Sequence, residues 1–268
     1  MDHSPIAFII FSLFFYSHLN SIFDTLEHQP FRILDRERLL AATDKCVLAY
    51  LNHISDGRKA FSLLPFVVKR CALSRYFGLE EYGSTRNATS SIRTFFPLFQ
   101  HPHLRKCHSF LFFGTSSFEM SSELEILTSV DFQMFDCKYL IVDTRKNRNG
   151  LRNFIQVPEL SEIYLNDILW QYKDDKDFVI EHLYISEMKE IDNFAMEKIL
   201  ELRRIYLVLP CQITIRFPKT VGTERLWEFA EKVLRNEQYI LLDVRNSEKF
   251  TEFYMFASSE YQCMMRYV

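Results

Sequence analysis

Glycine is scarce in this sequence. Only six occur among 268 residues, at Gly57, Gly78, Gly83, Gly114, Gly150 and Gly222. Loops that cradle a nucleotide need glycine where backbone approaches the ligand closely, so few places in the chain suit such a loop. No Cys-x-x-Cys pair is present, which excludes a zinc ribbon and a thioredoxin-type redox motif. No G-x-S-x-G elbow is present either, which argues against a serine hydrolase. Positive charge is not in excess: 32 Lys and Arg face 35 Asp and Glu, for a net charge of −3. Nucleic acid is therefore not an expected partner, because phosphate neutralisation needs a positive surface. Repeats, low-complexity tracts and Pro/Gly-rich linkers are also lacking. The length suits one large α/β domain behind a short N-terminal extension.

Apolar material is plentiful. Hydrophobic residues make up 48% of the chain and aromatic residues 15%, including 26 Phe, enough for a sizeable core. Residues 6–16 (IAFIIFSLFFY) are almost wholly apolar, and Leu19, Ile22 and Phe23 extend the run. Such a run at the start of a chain reads as a signal peptide or signal anchor over residues 1–23. That reading places the protein in the secretory pathway, secreted or anchored through its N-terminus. The sequon Asn87-Ala88-Thr89 is compatible with a lumenal route. Six widely spaced cysteines allow up to three bridges in fifteen pairings. Cys211, inside an apolar run, reads as a buried thiol.

Periodicity gives the order of elements. Residues 39–51 and 60–76 carry apolar side chains at helical spacing around the turn Ser55-Asp56-Gly57, so 24–72 reads as a helical extension. Strand material follows at 108–113 and 132–142, with a charged loop at 143–152 and an amphipathic helix at 160–172. Two apolar strands at 178–185 and 205–217 bracket a helical segment at 187–204. A helix at 223–236 has Thr223 as its expected cap and Leu226, Phe229, Ala230, Val233 and Leu234 as its apolar stripe. Short strands at 239–244 and 252–257 close the chain. This order predicts an α/β fold: a Rossmann-like, doubly wound, mainly parallel sheet with a C-terminal antiparallel hairpin, 178–185 and 207–215 being central. The cluster His101, His103, Cys107 and His108 fits no closed zinc site by spacing and reads as a polar loop. Glu181 and His182 are neighbours in a strand, so they face opposite ways and are no catalytic pair.

Several segments together resemble the FkbM-type methyltransferase domain, in particular its divergent nematode members. Val157-Pro158-Glu159-Leu160 through Leu165-Asn166-Asp167-Ile168-Leu169 is similar to the family's V-P-x-L … L-D-D-L-L segment. His182-Leu183-Tyr184-Ile185-Ser186-Glu187 stands where the family has K-I-D-I-E-G-A-E. Cys211-Gln212-Ile213-Thr214-Ile215 resembles C-Q-I-N-x-E, and Phe113-Gly114-Thr115-Ser116 resembles F-G-A-D. The resemblance runs over residues 73–268, with its motifs between about 73 and 267.

The resemblance implies an S-adenosylmethionine-dependent methyltransferase, transferring methyl to an oxygen of a small-molecule or glycan acceptor. It also implies cofactor contacts at Gly78, Gly83, Gly114, Ser116 and Asp143, with Glu187 as the catalytic residue beside the substrate. Three departures follow. Residues 77–84, the expected first-strand loop, carry Glu80 and Glu81, which repel a cofactor carboxylate. The expected end of the second strand holds Ser116, where a ribose-binding acid belongs. The family's acidic turn D-x-E-G-x-E reads Ser186, Met188, Lys189 and Ile191 here. These departures imply weak cofactor affinity, and the alternative is a non-catalytic lumenal or secreted binding protein that keeps the fold.

Overall fold

The fold is taken from a computed structural model that describes residues 33–72, 79–83, 91–95, 107–113, 137–143, 154–156, 180–186, 210–236, 238–248, 250–259 and 263–264. The chain divides into two units, Met1–Arg36 and Glu37–Val268, and all described elements except the first turn of the first helix belong to the second. The apolar run at 6–16 and the sequon at Asn87 lie outside the described residues, as do the helices expected at 160–172 and 187–204.

Two helices come first. Helix α1 (Ile33–Leu51) buries Leu40, Thr43, Asp44, Val47 and Leu51, one helical stripe. Helix α2 (Gly57–Cys71) starts where Asp56 accepts hydrogen bonds from the backbone N–H of Arg58 (2.9 Å) and Lys59 (3.4 Å). Lys69 and Arg70 in its last turn suit the negative end of the helix dipole. A Cβ at Gly57 would lie 2.9 Å from Cδ1 of the Trp227 side chain, so the indole would have to shift to admit one. A disulfide between Cys46 and Cys71 ties the two helices together.

Nine strands follow among the described residues. Strands β1 (Leu79–Gly83) and β2 (Ser91–Phe95) form a separate antiparallel pair, with Leu79 opposite Phe95 and Gly83 opposite Ser91. The other seven make one mixed sheet: β3 (Cys107–Phe113), β4 (Cys137–Asp143), β5 (Phe154–Gln156), β6 (Ile180–Ser186), β7 (Gln212–Pro218), β8 (Tyr239–Asn246) and β9 (Phe250–Ala257). Their order is β5-β4-β3-β6-β7-β9-β8. The four pairings among β5, β4, β3, β6 and β7 are parallel, and β9 runs antiparallel to both β7 and β8. The fold is α/β, with β6 in the middle of the sheet and the closing hairpin at one edge, as the sequence predicts. Helix α3 (Thr223–Arg235) connects β7 to β8.

The two faces of the sheet differ in chemistry. Leu183 and Ile185 of β6, Ile213, Ile215 and Phe217 of β7, and Phe253 and Met255 of β9 share one face, all buried. Helices α2 and α3 pack against it through the closing hairpin. Phe61 of α2, Phe229 of α3, Phe217 and Phe253 meet as a tilted and edge-to-face aromatic cluster, with centroids 5.2–6.3 Å apart. The stripe expected on α3 is buried residue for residue. The helices at 33–72 thus share the core of the sheet. The alternate positions of the same strands, by contrast, carry His182, Gln212, Thr214, Arg216 and Glu252, all buried.

Three local expectations need correction. Leu79–Gly83 is a strand and not a glycine loop, because its ladder to Ser91–Phe95 fixes it as extended chain. The cap of α3 is Gly222, without a side-chain hydrogen bond, and Thr223 is already the first helical residue. Cys211 is not a thiol: it stands just before β7 and is bridged to Cys263. Two disulfides are compatible with a protein of the extracellular space or secretory pathway. Among the described residues no helix is long and apolar enough to cross a membrane.

Candidate functional site

From β3 the chain steps outward to β4 and β5, then returns to β6 on the other side of β3 and continues to β7. The direction of winding therefore reverses between β3 and β6. In open α/β sheets, ligands bind outside the carboxyl ends of the strands at such a reversal.

The register places specific residues there. Phe113, the last residue of β3, lies opposite both Asp143 of β4 and Ser186 of β6. Asp143 in turn lies opposite Gln156, the last residue of β5. On β7 the next level is Arg216, one step beyond the pair Ile185–Ile215, and it lies opposite Glu252 of β9. Glu252 lies opposite Arg245 of β8. One level near the carboxyl edge thus carries Gln156, Asp143, Phe113, Ser186, Arg216, Glu252 and Arg245 across the sheet. Within this level, Arg216 and Glu252 stand on the polar side of the sheet.

Burial sorts the right-hand end of this row. Arg216 and Glu252 are 1% and 2% exposed, and Arg216 Nε donates to Glu252 Oε2 at 2.5 Å. The guanidinium also lies 5.4 Å from the ring centroid of Tyr184 and 4.4 Å from that of Phe250. A cation held by a carboxylate and two aromatic rings is fixed in place. Toward the edge, Arg245 Nε is 3.5 Å from Asp243 Oδ2.

Deeper on the same face is a second polar layer. His182 Nε2 and Thr214 Oγ1 are hydrogen-bonded at 2.9 Å, and Tyr254 Oη donates to Gln212 Oε1 at 2.7 Å. His182 Nδ1 is buried without a partner. Burial lowers the His182 pKa to about 4, so the imidazole is neutral at physiological pH. A neutral histidine deep in the sheet serves the packing of this face.

The structure distributes the sequence-predicted residues unevenly. Asp143 is brought to the reversal point. Gly83 is placed in the β1–β2 pair, apart from the seven-stranded sheet in its ladder. Gly78, Gly114, Ser116 and Glu187 lie outside the described residues, although Gly114 and Ser116 follow β3 directly and Glu187 follows β6. The strand count also shifts: the strand ending at Phe113 is the first of the sheet's winding, and the second ends at Asp143. The end of the sheet's second strand in chain order is Asp143. Its signal was in the sequence, where the apolar run Tyr139-Leu140-Ile141-Val142 ends in Asp143. The Arg216–Glu252 pair was missed; its only trace is a single charge in each of two apolar runs. No group of residues that could hold a metal ion occurs among the described residues.

No protein-family model matches the sequence, and no curated protein matches it.

Proposed function

We propose that the chain is a Rossmann-like, FkbM-type methyltransferase-like protein that binds S-adenosylmethionine at the carboxyl ends of β3 and β4. The observation that carries this reading is Asp143, the last residue of β4, level with the end of β3 beside the reversal of winding. A carboxylate at that position accepts hydrogen bonds from the two ribose hydroxyls of a nucleoside cofactor. The closing strands support the reading too, since β9 enters antiparallel between β7 and β8 as in methyltransferase sheets. Gly114, Thr115 and Ser116, directly after β3 in the sequence, are proposed to contact the cofactor. The carboxylates Glu80 and Glu81 belong to the β1–β2 pair, which removes the reason for expecting them to repel it.

When bound, the cofactor supplies an electrophilic methyl group. The chain's task is to position an acceptor oxygen in line with it and to exclude water. Glu187, after β6, is the residue proposed to orient the acceptor hydroxyl of a small molecule or glycan. Residues 1–23 are proposed to direct the chain into the secretory pathway, where both disulfides form.

A second reading is favoured by the residues after β6. Ser186, Met188, Lys189 and Ile191 replace an acidic, glycine-bearing turn, which supports a non-catalytic lumenal or secreted binding protein that keeps the fold without turnover.

Calorimetric titration with S-adenosylmethionine tests the first reading. Micromolar binding is expected, with Asp143→Ala weakening it by roughly ten- to a hundredfold, the range of a charge-assisted hydrogen bond worth about 1.5–3 kcal/mol. No binding by the unmodified chain would sink the cofactor assignment. Binding without methyl transfer to any glycan or small hydroxylated acceptor would select the second reading.

A further inference from the structure

Helix α2 presents an unusual outer face. It buries Ala60, Phe61, Leu64, Val67, Val68 and Cys71. The opposite face exposes Arg58 and Lys59 in the first turn, Leu63 and Phe66 in the middle, and Lys69 and Arg70 in the last turn. At 3.6 residues per turn these positions form a single stripe. No acidic residue occurs anywhere in α2, although the chain as a whole carries a net charge of −3. The face is a local exception to the protein's charge.

Its apolar centre is open to solvent. Phe66 is 66% exposed and Leu63 is 40% exposed, one turn apart. Tyr50 of α1, 47% exposed, extends the patch, with the Arg70 guanidinium 5.3 Å from its ring centroid. Arg58 shares an exposed ion pair with Glu224 at 2.9 Å. Among the described residues, Lys59, Lys69 and Arg70 have no carboxylate partner.

We propose that this face of α2 docks on an anionic lipid surface. Large apolar side chains between basic ends are the pattern of helices that lie in a membrane interface: the rings enter the headgroup region and the cations meet lipid phosphates and carboxylates. A protein partner of mixed charge fits less well, because Ser62 is the stripe's single uncharged polar residue and α2 itself carries no acid to answer the partner's cations. The proposal is independent of the cofactor reading.

The test is co-sedimentation of the full, disulfide-bonded chain with vesicles of phosphatidylcholine alone or mixed with phosphatidylserine. Partition onto the anionic vesicles is expected to be at least about tenfold stronger and to weaken with added salt. The triple variant Lys59→Glu, Lys69→Glu, Arg70→Glu is expected to lose that preference, and Leu63→Ser with Phe66→Ser to lose most binding. These positions are exposed, so the fold is expected to survive, which an unchanged thermal midpoint checks. As an independent readout, the indole introduced by Phe66→Trp is expected to shift its emission to the blue on anionic vesicles only. Equal binding to both vesicle types, unchanged binding by the triple variant, or no emission shift would each overturn the proposal. Binding to polyglutamate but not to vesicles would assign the face to an acidic protein segment and overturn it as well.

Discussion

Arg216 on β7 and Glu252 on β9 face each other in register and form an ion pair from which water is almost wholly excluded. Removing water from two charges is costly, and their attraction offsets this only while both are present. Arg216→Ala or Glu252→Ala is therefore expected to destabilise the chain by about 3–5 kcal/mol, leaving one buried charge uncompensated. Replacing both by apolar residues of similar volume, as in Arg216→Met with Glu252→Leu, is expected to recover most of that loss. Urea unfolding of the two single variants and the double variant provides the measurement. A double variant as unstable as the sum of the singles would show that the pair contributes through something other than mutual neutralisation.

Stability should fall between pH 6.5 and 8, and Asp44 is the reason. Burial pushes its pKa from 3.8 up to about 8, against the opposing effect of the Leu241 N–H, which donates to its Oδ1 at 3.2 Å. The folded chain keeps a proton that the unfolded chain releases, so this contribution is complete below about pH 4 and is lost as pH rises through about 8. His182 acts oppositely: its pKa falls from 6.5 to about 4, so its contribution is present above 6.5 and is lost as pH falls through about 4. The two slopes cancel between roughly pH 4 and 6.5. Above that, among the described residues, Asp44 acts unopposed, at about 1.4 kcal/mol per pH unit. Denaturation midpoints at pH 6.5 and 8 should differ for the wild type and converge for Asp44→Asn. Equal midpoints in the wild type would contradict the assignment.

The two disulfides among the described side chains join cysteines 25 and 52 positions apart. Chain-entropy arguments give about 3.5 kcal/mol for the first and about 4 kcal/mol for the second. Cys263→Ser is thus expected to cost about as much as Cys46→Ser or slightly more, measured by the thermal midpoint in oxidising buffer. An unaffected midpoint in either variant would remove that bridge from the stability account.

Cys107 and Cys137 open β3 and β4 directly opposite one another. Neighbouring strands lie about 4.8 Å apart, inside the Cα separation of roughly 4.4–6.8 Å that a bridge spans. Denatured but unreduced protein is expected to take up no maleimide, and digestion should yield a peptide joining these two positions. Two labelled thiols per chain would refute the expectation.

Phe253 stands at the centre of the aromatic cluster, against Phe61, Phe217 and Phe229. Phe253→Ala is expected to cost about 3–5 kcal/mol, and Phe253→Leu clearly less, because the leucine refills part of the cavity. Chemical denaturation would separate the two, and equal losses would argue against cavity formation as the cause.

Helix α3 was legible because its five apolar positions repeat at one spacing and its flanks are polar. Strands β8 and β9 were legible from dense aromatic and β-branched residues around a turn. The short pair β1–β2 was not. Leu79-Glu80-Glu81-Tyr82-Gly83 sits between two glycines and reads as a loop, and only its ladder to Ser91–Phe95 makes it a strand. With a loop expected at 77–84, the second strand is expected to end at Ser116, whereas the second strand of the sheet in chain order ends at Asp143. Arg216 and Glu252 are each the single charge of an apolar run. Nothing local to either tells that they meet across 36 residues of chain.

The sheet's two borders bear on behaviour at high concentration. On one side β5 is only three residues long, too short to template a further strand. On the other, β8 has a register shift between Leu241 and Asp243, and the amide of Leu241 is taken by Asp44 from α1. A bulge, a nearby Asp243–Arg245 pair and a helix side chain together interrupt that border. Among the described strands of the seven-stranded sheet, neither border thus offers a second molecule a long continuous row of open backbone groups, which disfavours edge-to-edge self-association.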